Sequence, residues 1–119
     1  MDELEGREFD WFAVDENGEI AVFSTAGNGT VPESVKENYK AHDSISEKFE
    51  YPNWGSDNVW KDFANYGLFV FDWRLNNGPY VKKSAPNGKI DSELKSKILK
   101  ISGIPKLQMD FSKVDKTEL

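Results

Sequence analysis

The stretch FDWFAVDENGEIAVFST, Phe9 to Thr25, decides the fold of this chain. It reads as two apolar strands joined by a turn at Asp15-Glu16-Asn17-Gly18. Asp at the first turn position and Gly at the fourth favour a type I turn closed by a left-handed glycine and followed by a bulge. A two-residue type I′ turn at Asn17-Gly18 is the competing register.

The bulged register fixes which side chains face each other across this hairpin. It pairs Trp11 with Phe23, Phe12 with Val22, and Val14 with Ile20. In either register, both faces of the hairpin carry apolar side chains. A hairpin of this kind is usually covered on both faces, so we expect it inside the sheet rather than at an edge.

Two helices are predicted after the first hairpin. Thr30-Val31-Pro32-Glu33 matches a capping box with Thr30 as the N-cap, and it starts a helix whose apolar stripe includes His42. A second helix is predicted over 58–66. Gly67 follows it, at the position where a left-handed C-terminal cap is wanted.

The second half of the chain predicts another hairpin, a helix and a last strand. LFVFDWR, Leu68 to Arg74, alternates as a strand does, and Asn76-Asn77-Gly78 signals a turn before a return strand over Tyr80 to Ser84. The spacing of apolar residues predicts a helix over 90–102, with Asp91 or Ser92 as its cap. The alternation of Leu107, Met109 and Phe111 predicts a short final strand over 107–111.

These elements give the order β-β-α-α-β-β-α-β. Strands come in hairpins and helices come between them, which favours an α+β fold with a mainly antiparallel sheet of two hairpins plus a C-terminal strand, packed with about three helices. The length of 119 residues predicts a single domain over 1–119. We expect the polar tail from about residue 113 to fray.

Charge and composition exclude several classes of protein. The formal net charge of −6 argues against nucleic acid or an anionic membrane as the main partner. There is no cysteine, so disulfides and thiolate chemistry are excluded, which fits a reducing compartment. No stretch reaches the ~18 apolar residues of a spanning helix, and MDELEGREFD does not resemble a signal peptide. We therefore expect a cytoplasmic protein.

The motifs for bound ions and phosphates are incomplete. If Gly18 took the sixth position of a calcium loop, Ala13 and Ser24 would take the first and twelfth, where carboxylates are required. Gly27-Asn28-Gly29 precedes a helix, but Pro32 stands where a dinucleotide fingerprint needs its third glycine. One histidine and no cysteine exclude a site of several His or Cys ligands, and a carboxylate-only site stays open. We predict neither a cofactor nor a metal.

Asp72, Arg74 and His42 are the candidates for a small enzyme or ligand-binding cleft. Asp72 lies inside an apolar strand, and Arg74 is two residues further on the same face. An ordinary ion pair on the strand face, of Asp72 with Arg74 or with a lysine of the next strand, is the alternative for Asp72. A half-buried histidine near a helix end is the alternative for His42. A pocket with a strongly shifted carboxylate would favour the cleft.

The acidic hairpin turn and one tryptophan are the candidates for a protein-binding surface. Asp15, Glu16 and Glu19 are expected to be exposed, and such a surface would speed the encounter with a basic partner. Trp54, in a Pro-Asn-Trp-Gly turn, is a candidate anchor, with packing beneath a loop as its alternative.

The segment FDWFAVDENGEIAVFSTAGNGTVPES resembles the start of a type of small bacterial cytoplasmic protein. The residues that carry the pattern are Asp10, Trp11, Phe12, Asp15, Gly18, Ala21, Phe23, Thr25, Gly27, Pro32 and Glu33. Tyr66 to Pro86 is similar to the second hairpin of that type. Such proteins resemble the immunity proteins of polymorphic toxin systems. The resemblance implies a non-enzymatic domain that binds another protein, such as a basic toxin neutralised by occlusion, and it transfers no catalytic residue.

Overall fold

The computed structural model describes residues 8–50, 52, 56, 58–74 and 77–117. The elements are β1 (Asp10–Val14), β2 (Ile20–Ser24), α1 (Glu33–Glu37), α2 (Tyr39–Ser46), α3 (Val59–Asn65), β3 (Phe69–Trp73), β4 (Tyr80–Ser84), α4 (Ser92–Leu99) and β5 (Lys116–Thr117). They form one α+β globule, which confirms the predicted fold class.

The strands form one five-stranded sheet in the order β1-β2-β3-β4-β5. β1 with β2, β3 with β4, and β4 with β5 are antiparallel pairs, whereas β2 and β3 run parallel. Parallel neighbours need a long crossover connection, and the segment with α1, α2 and α3 supplies it. The sheet is therefore mainly antiparallel, with one parallel pair that joins the two hairpins.

The first hairpin has the bulged register. Trp11 pairs with Phe23 and Phe12 with Val22. The Gly18 N–H donates to the Asp15 carbonyl oxygen at 3.2 Å, and Gly18 has a φ of +80°. A left-handed glycine at this position closes the type I turn, so the competing type I′ register is excluded.

β1 is an edge strand, so the predicted interior position is wrong for this half of the hairpin. Other parts of the chain cover its outer edge. The Phe12 N–H donates to His42 Nδ1 at 3.0 Å, the Val14 N–H donates to the Pro105 carbonyl at 2.9 Å, and the Leu107 N–H donates to the Val14 carbonyl at 2.8 Å. An edge strand covered in this way can be apolar on both faces without offering its backbone to another chain.

Each face of the sheet has its own core, because side chains alternate along a strand. One face forms the helix-side core, which packs against α2, α3 and α4 and contains Phe12, Val22, Val70, Ile45, Phe63 and Ile98. The other forms the aromatic core, which contains Trp11, Phe23, Phe71, Trp73, Tyr80 and Phe111. In the aromatic core, Phe23 stacks on Trp11 with a ring-centroid distance of 4.4 Å and on Phe71 at 4.9 Å.

The first predicted helix is two helices, α1 and α2, which are separated at Asn38. Thr30 is not the N-cap, because α1 begins at Glu33 after Pro32 and has no side-chain cap. The Thr30 carbonyl instead accepts a hydrogen bond of 2.7 Å from the Tyr80 hydroxyl. This bond ties the loop before α1 to the aromatic core.

The later helices lie within their predicted ranges. α3 ends before Gly67, which has the left-handed φ of +86° that a C-terminal cap requires. A Cβ at Gly67 would lie 2.4 Å from Ile90 Cα, so a close approach also requires glycine here. Asp91 caps α4 as one of its two predicted caps, accepting hydrogen bonds from the Glu93 and Leu94 N–H groups.

The predicted final strand over 107–111 is wrong. Within this range, the side chains of Leu107 and Phe111 pack against the aromatic core, but the backbone forms no strand. The fifth strand instead forms at Lys116–Thr117, in the tail that we expected to fray. It pairs with Tyr80 and Val81 at the edge of β4.

Asp15 joins the first hairpin to this C-terminal segment. Its carboxylate is buried and accepts three backbone hydrogen bonds of 2.9 Å, from the N–H groups of Asn17, Glu19 and Phe111. The predicted exposure of Asp15 is therefore wrong. The sequence around the turn does not reveal this burial, because the Phe111 N–H that donates to Asp15 lies 96 residues away.

We expect Asp15→Ala to lower the free energy of unfolding by about 3 kcal/mol or more, because it leaves backbone donors without their charged acceptor. Glu16→Ala is the matched control. Glu16 is the exposed neighbour in the same turn, and its loss should change stability by no more than about 0.5 kcal/mol. Urea unfolding followed by tryptophan fluorescence measures both, and equal losses in the two variants would contradict this role of Asp15.

Candidate functional site

The strand register aligns three polar side chains at one end of the sheet. Asp10 on β1 pairs with Ser24 on β2, and Ser24 pairs with Asp72 on β3. Directly paired residues point to the same face, so the three form a polar row on the helix side. On the same face, the next pair of residues on these two strands is apolar and consists of Phe12 and Val22.

The polar row borders a cleft of about 640 Å³, which we call the acidic cleft. Its lining residues are Glu8, Phe9, Asp10, Ser24, Ala26, Ser56, Val59, Trp60, Phe63 and Asp72. Ser24 and Asp72, close to the C-terminal ends of the parallel strands β2 and β3, form one side of the cleft, and α3 forms the other. Ligand crevices form at the carboxyl ends of parallel strands, and polar groups converging beside apolar walls are typical of binding sites.

A second cleft of about 610 Å³, the basic cleft, adjoins the first. Both are lined by Ala26 and Asp72, and the basic cleft adds Arg74 and Lys83. Lys83 reaches this side through a bulge, because β4 shifts its register against β3 between Val70 and Phe71. A bulge re-aims a side chain, so here it places a cation beside the polar row.

Burial and neighbouring charge act together on Asp10. Burial, together with the charges of Glu8, Asp43 and Asp72, raises the pKa of its carboxyl to about 6, against a usual value of 3.8. The hydrogen bond with Ser24 opposes them only in part. A cation in the acidic cleft would favour the charged form of Asp10 and offset this cost.

His42 lies outside both clefts, under β1. It is fully buried, and its ring is parallel to that of Phe12 with a centroid distance of 6.0 Å. Burial lowers the pKa of His42 to about 4, although the Asp43 charge opposes the shift, so the ring is neutral and its Nδ1 accepts the Phe12 N–H. The structure therefore brings Asp72 and Arg74 together in one cleft and places His42 elsewhere, as part of the edge cover of β1.

The candidates for a protein-binding surface are separated from the clefts. Glu16 and Glu19 are exposed as predicted, whereas Asp15 is buried and presents its carboxylate to backbone donors. The turn lies at the far end of β1 from Asp10, about 17 Å away at the rise of a strand. Trp54 lies outside the described residues.

Sequence reasoning missed Asp10 and Ser24 as members of a site. The hairpin register, read to its end, already aligns these two residues. The signal for the row was therefore present in part, but Asp72 joins it only through the parallel pairing of β2 with β3. No local pattern specifies that pairing.

In the described part of the chain, no group of three His, Cys, Asp or Glu side chains is arranged to hold a metal ion. Over the same residues, no helix has the length and apolar character needed to cross a membrane.

Compared with protein-family models, with curated proteins and with solved structures, the chain matches none of them. The resemblance to immunity proteins therefore stays a prediction.

The pH dependence of stability tests the environments of Asp10 and His42. The folded-state pKa of Asp10 is raised, so its contribution falls as pH rises from about 4 to about 6. The folded-state pKa of His42 is lowered, so its contribution is present above about pH 6.5 and falls as pH drops towards about 4. Between pH 4 and 6 the two effects offset each other in the native protein.

We expect Asp10→Asn to remove one of these opposing effects. Its free energy of unfolding should then fall more steeply than that of the native protein as pH drops from 6 to 4, by up to about 1.4 kcal/mol per pH unit. Urea unfolding at a series of pH values measures the slope. Glu47→Gln, a change at an exposed carboxyl, is the control and should keep the native slope. Equal slopes for Asp10→Asn and the native protein would contradict the raised pKa.

Proposed function

We propose that this chain is a non-enzymatic binding protein that takes a cationic group of a basic protein partner into its acidic cleft. The observation that carries the proposal is the polar row of Asp10, Ser24 and Asp72 along that cleft. Burial and the carboxylates of Glu8, Asp43 and Asp72 raise the pKa of Asp10, which makes its charged form costly. An ammonium or guanidinium group in the acidic cleft would stabilise that charged form.

The other walls of the acidic cleft suit the same ligand. Trp60 and Phe63 line it, and an aromatic ring near a cation adds a favourable electrostatic contact. The apolar side chains of Val59 and Phe9 can pack against the hydrocarbon part of a lysine or arginine. The cleft thus offers charge at one side and apolar surface at the other, which matches a long basic side chain.

The net charge of the chain supports a protein partner of opposite sign. At −6, with Glu16 and Glu19 exposed, the protein attracts basic surfaces and accelerates their encounter. A basic toxin neutralised by occlusion in a bacterial cytoplasm, as the sequence resemblance implies, is a partner of this kind. In this proposal the acidic turn steers the encounter and the acidic cleft holds the bound cation.

A second candidate function uses the same cleft for acid–base catalysis. A carboxyl with a pKa of about 6 beside another carboxyl can act as a general acid near neutral pH, which favours the ligand-binding or enzyme alternative around Asp72. Its catalytic groups would be Asp10 and Asp72 rather than His42, which lines neither cleft.

We expect a hexa-arginine peptide to shift the backbone amide resonances of Ser24 and Asp72 in a nuclear magnetic resonance titration at about 0.15 M salt. The double variant Asp10→Asn/Asp72→Asn should bind the peptide about tenfold or more weakly, because it removes both carboxylates of the row. Native binding should also weaken from pH 7.5 to pH 5, as Asp10 takes up a proton.

The double variant Glu16→Gln/Glu19→Gln is the matched control, since it removes the same charge at the other end of the hairpin. It should slow association at low salt and leave the resonance shifts in the acidic cleft in place. Shifts confined to the turn, or equal affinity for the native protein and Asp10→Asn/Asp72→Asn, would overturn the proposal.

A further inference from the structure

The acidic and basic clefts border each other along β3. Asp72 lines both of them, and Arg74 follows it two residues further along the chain. Arg74 lies just past the end of β3, and two residues of extended chain span about 7 Å. Both side chains line the basic cleft. A negative and a positive binding position therefore lie side by side, a short distance apart.

We propose that the ligand of these joined clefts is the C-terminal residue of a protein partner, a lysine or arginine whose side chain lies in the acidic cleft and whose terminal carboxylate lies in the basic cleft. This inference rests on the proposed function and adds the identity of the bound segment. It assigns to Arg74 and Lys83 the role of carboxylate binding.

The size of the two positions favours a single residue. A spacing of about 7 Å between Asp72 and Arg74 is of the order that one extended lysine or arginine side chain spans. Only at a C-terminus does one residue carry both a basic side chain and a carboxylate. An internal basic residue would fill the acidic cleft but bring no carboxylate of its own to Arg74 and Lys83.

The bulge in β4 supports the same assignment. In a regular ladder, the residue between Lys82 and Ser84 would have a partner on β3, but here Phe71 pairs with Lys82 and the next pair is Val70 with Ser84. Lys83 is thereby released from the ladder and lines the basic cleft. Lys82 points to the other face, where its Nζ donates to the Phe111 carbonyl at 2.9 Å, so of these two lysines only Lys83 serves the cleft.

Two peptides that differ only at their last group test the inference. Gly-Gly-Ala-Arg with a free carboxylate carries both charges, and the same peptide with a C-terminal amide carries only the cations. Because the whole protein is acidic, non-specific attraction favours the amide. We expect calorimetry to show the opposite order, with the free carboxylate binding about tenfold more tightly.

Variants of the native chain separate the two clefts. Arg74→Met/Lys83→Met should remove the preference for the free carboxylate and keep the affinity for the amide. Asp10→Asn/Asp72→Asn should weaken both peptides. Lys89→Met/Lys100→Met, which removes two exposed lysines that line neither cleft, is the control and should keep the preference.

Equal affinities for the two peptides, or tighter binding of the amide, would overturn the inference and leave the proposed function standing if Asp10→Asn/Asp72→Asn still weakens both. Binding of neither peptide would overturn both proposals. Free arginine bound as tightly as the peptide would overturn the assignment of a protein C-terminus, because the ligand would then be an amino acid.

Discussion

The parallel pairing of β2 with β3 is the constraint on which the rest of the structure depends. The two hairpins are local, and each could form from its own turn. Their parallel join sets both strands' carboxyl ends at one end of the sheet, which brings Ser24 beside Asp72. It also requires a long crossover, in which α2 and α3 cover one face of the sheet and α3 forms a wall of the acidic cleft.

The C-terminal segment covers part of the opposite face of the sheet, and this explains why Asp15, a polar residue in a turn, is buried. The C-terminal segment crosses the aromatic core without forming the predicted strand, and Phe111 enters that core. Its backbone N–H would be buried without a partner there if the Asp15 carboxylate did not accept it. One aspartate therefore satisfies the turn of the first hairpin and the chain that covers it.

The elements that the sequence predicts well are those with local causes. The hairpin register follows from Asp15 and Gly18, and the cap of α4 follows from Asp91. The elements that it misses depend on distant partners, as when the C-terminal tail forms β5 by pairing with β4. The candidate site divides in the same way. Asp72 and Arg74 share a face by simple alternation, whereas Asp10 joins them only through pairing across three strands.

The polar row is unusual because the same face of the sheet is otherwise apolar. On the same face, the residues two positions away on each strand are apolar, namely Phe12, Val22 and Val70. The polar row stops at β4, where Asp72 pairs with the apolar Val81. Apolar residues at the positions of Asp10 and Ser24 would extend the helix-side core and avoid the cost of a half-buried carboxyl. Folded proteins break their own packing pattern mainly at functional sites, and raised carboxyl pKa values cluster there. The proposed bound cation accounts for this conflict at Asp10, because a positive charge would stabilise the carboxylate that burial makes costly.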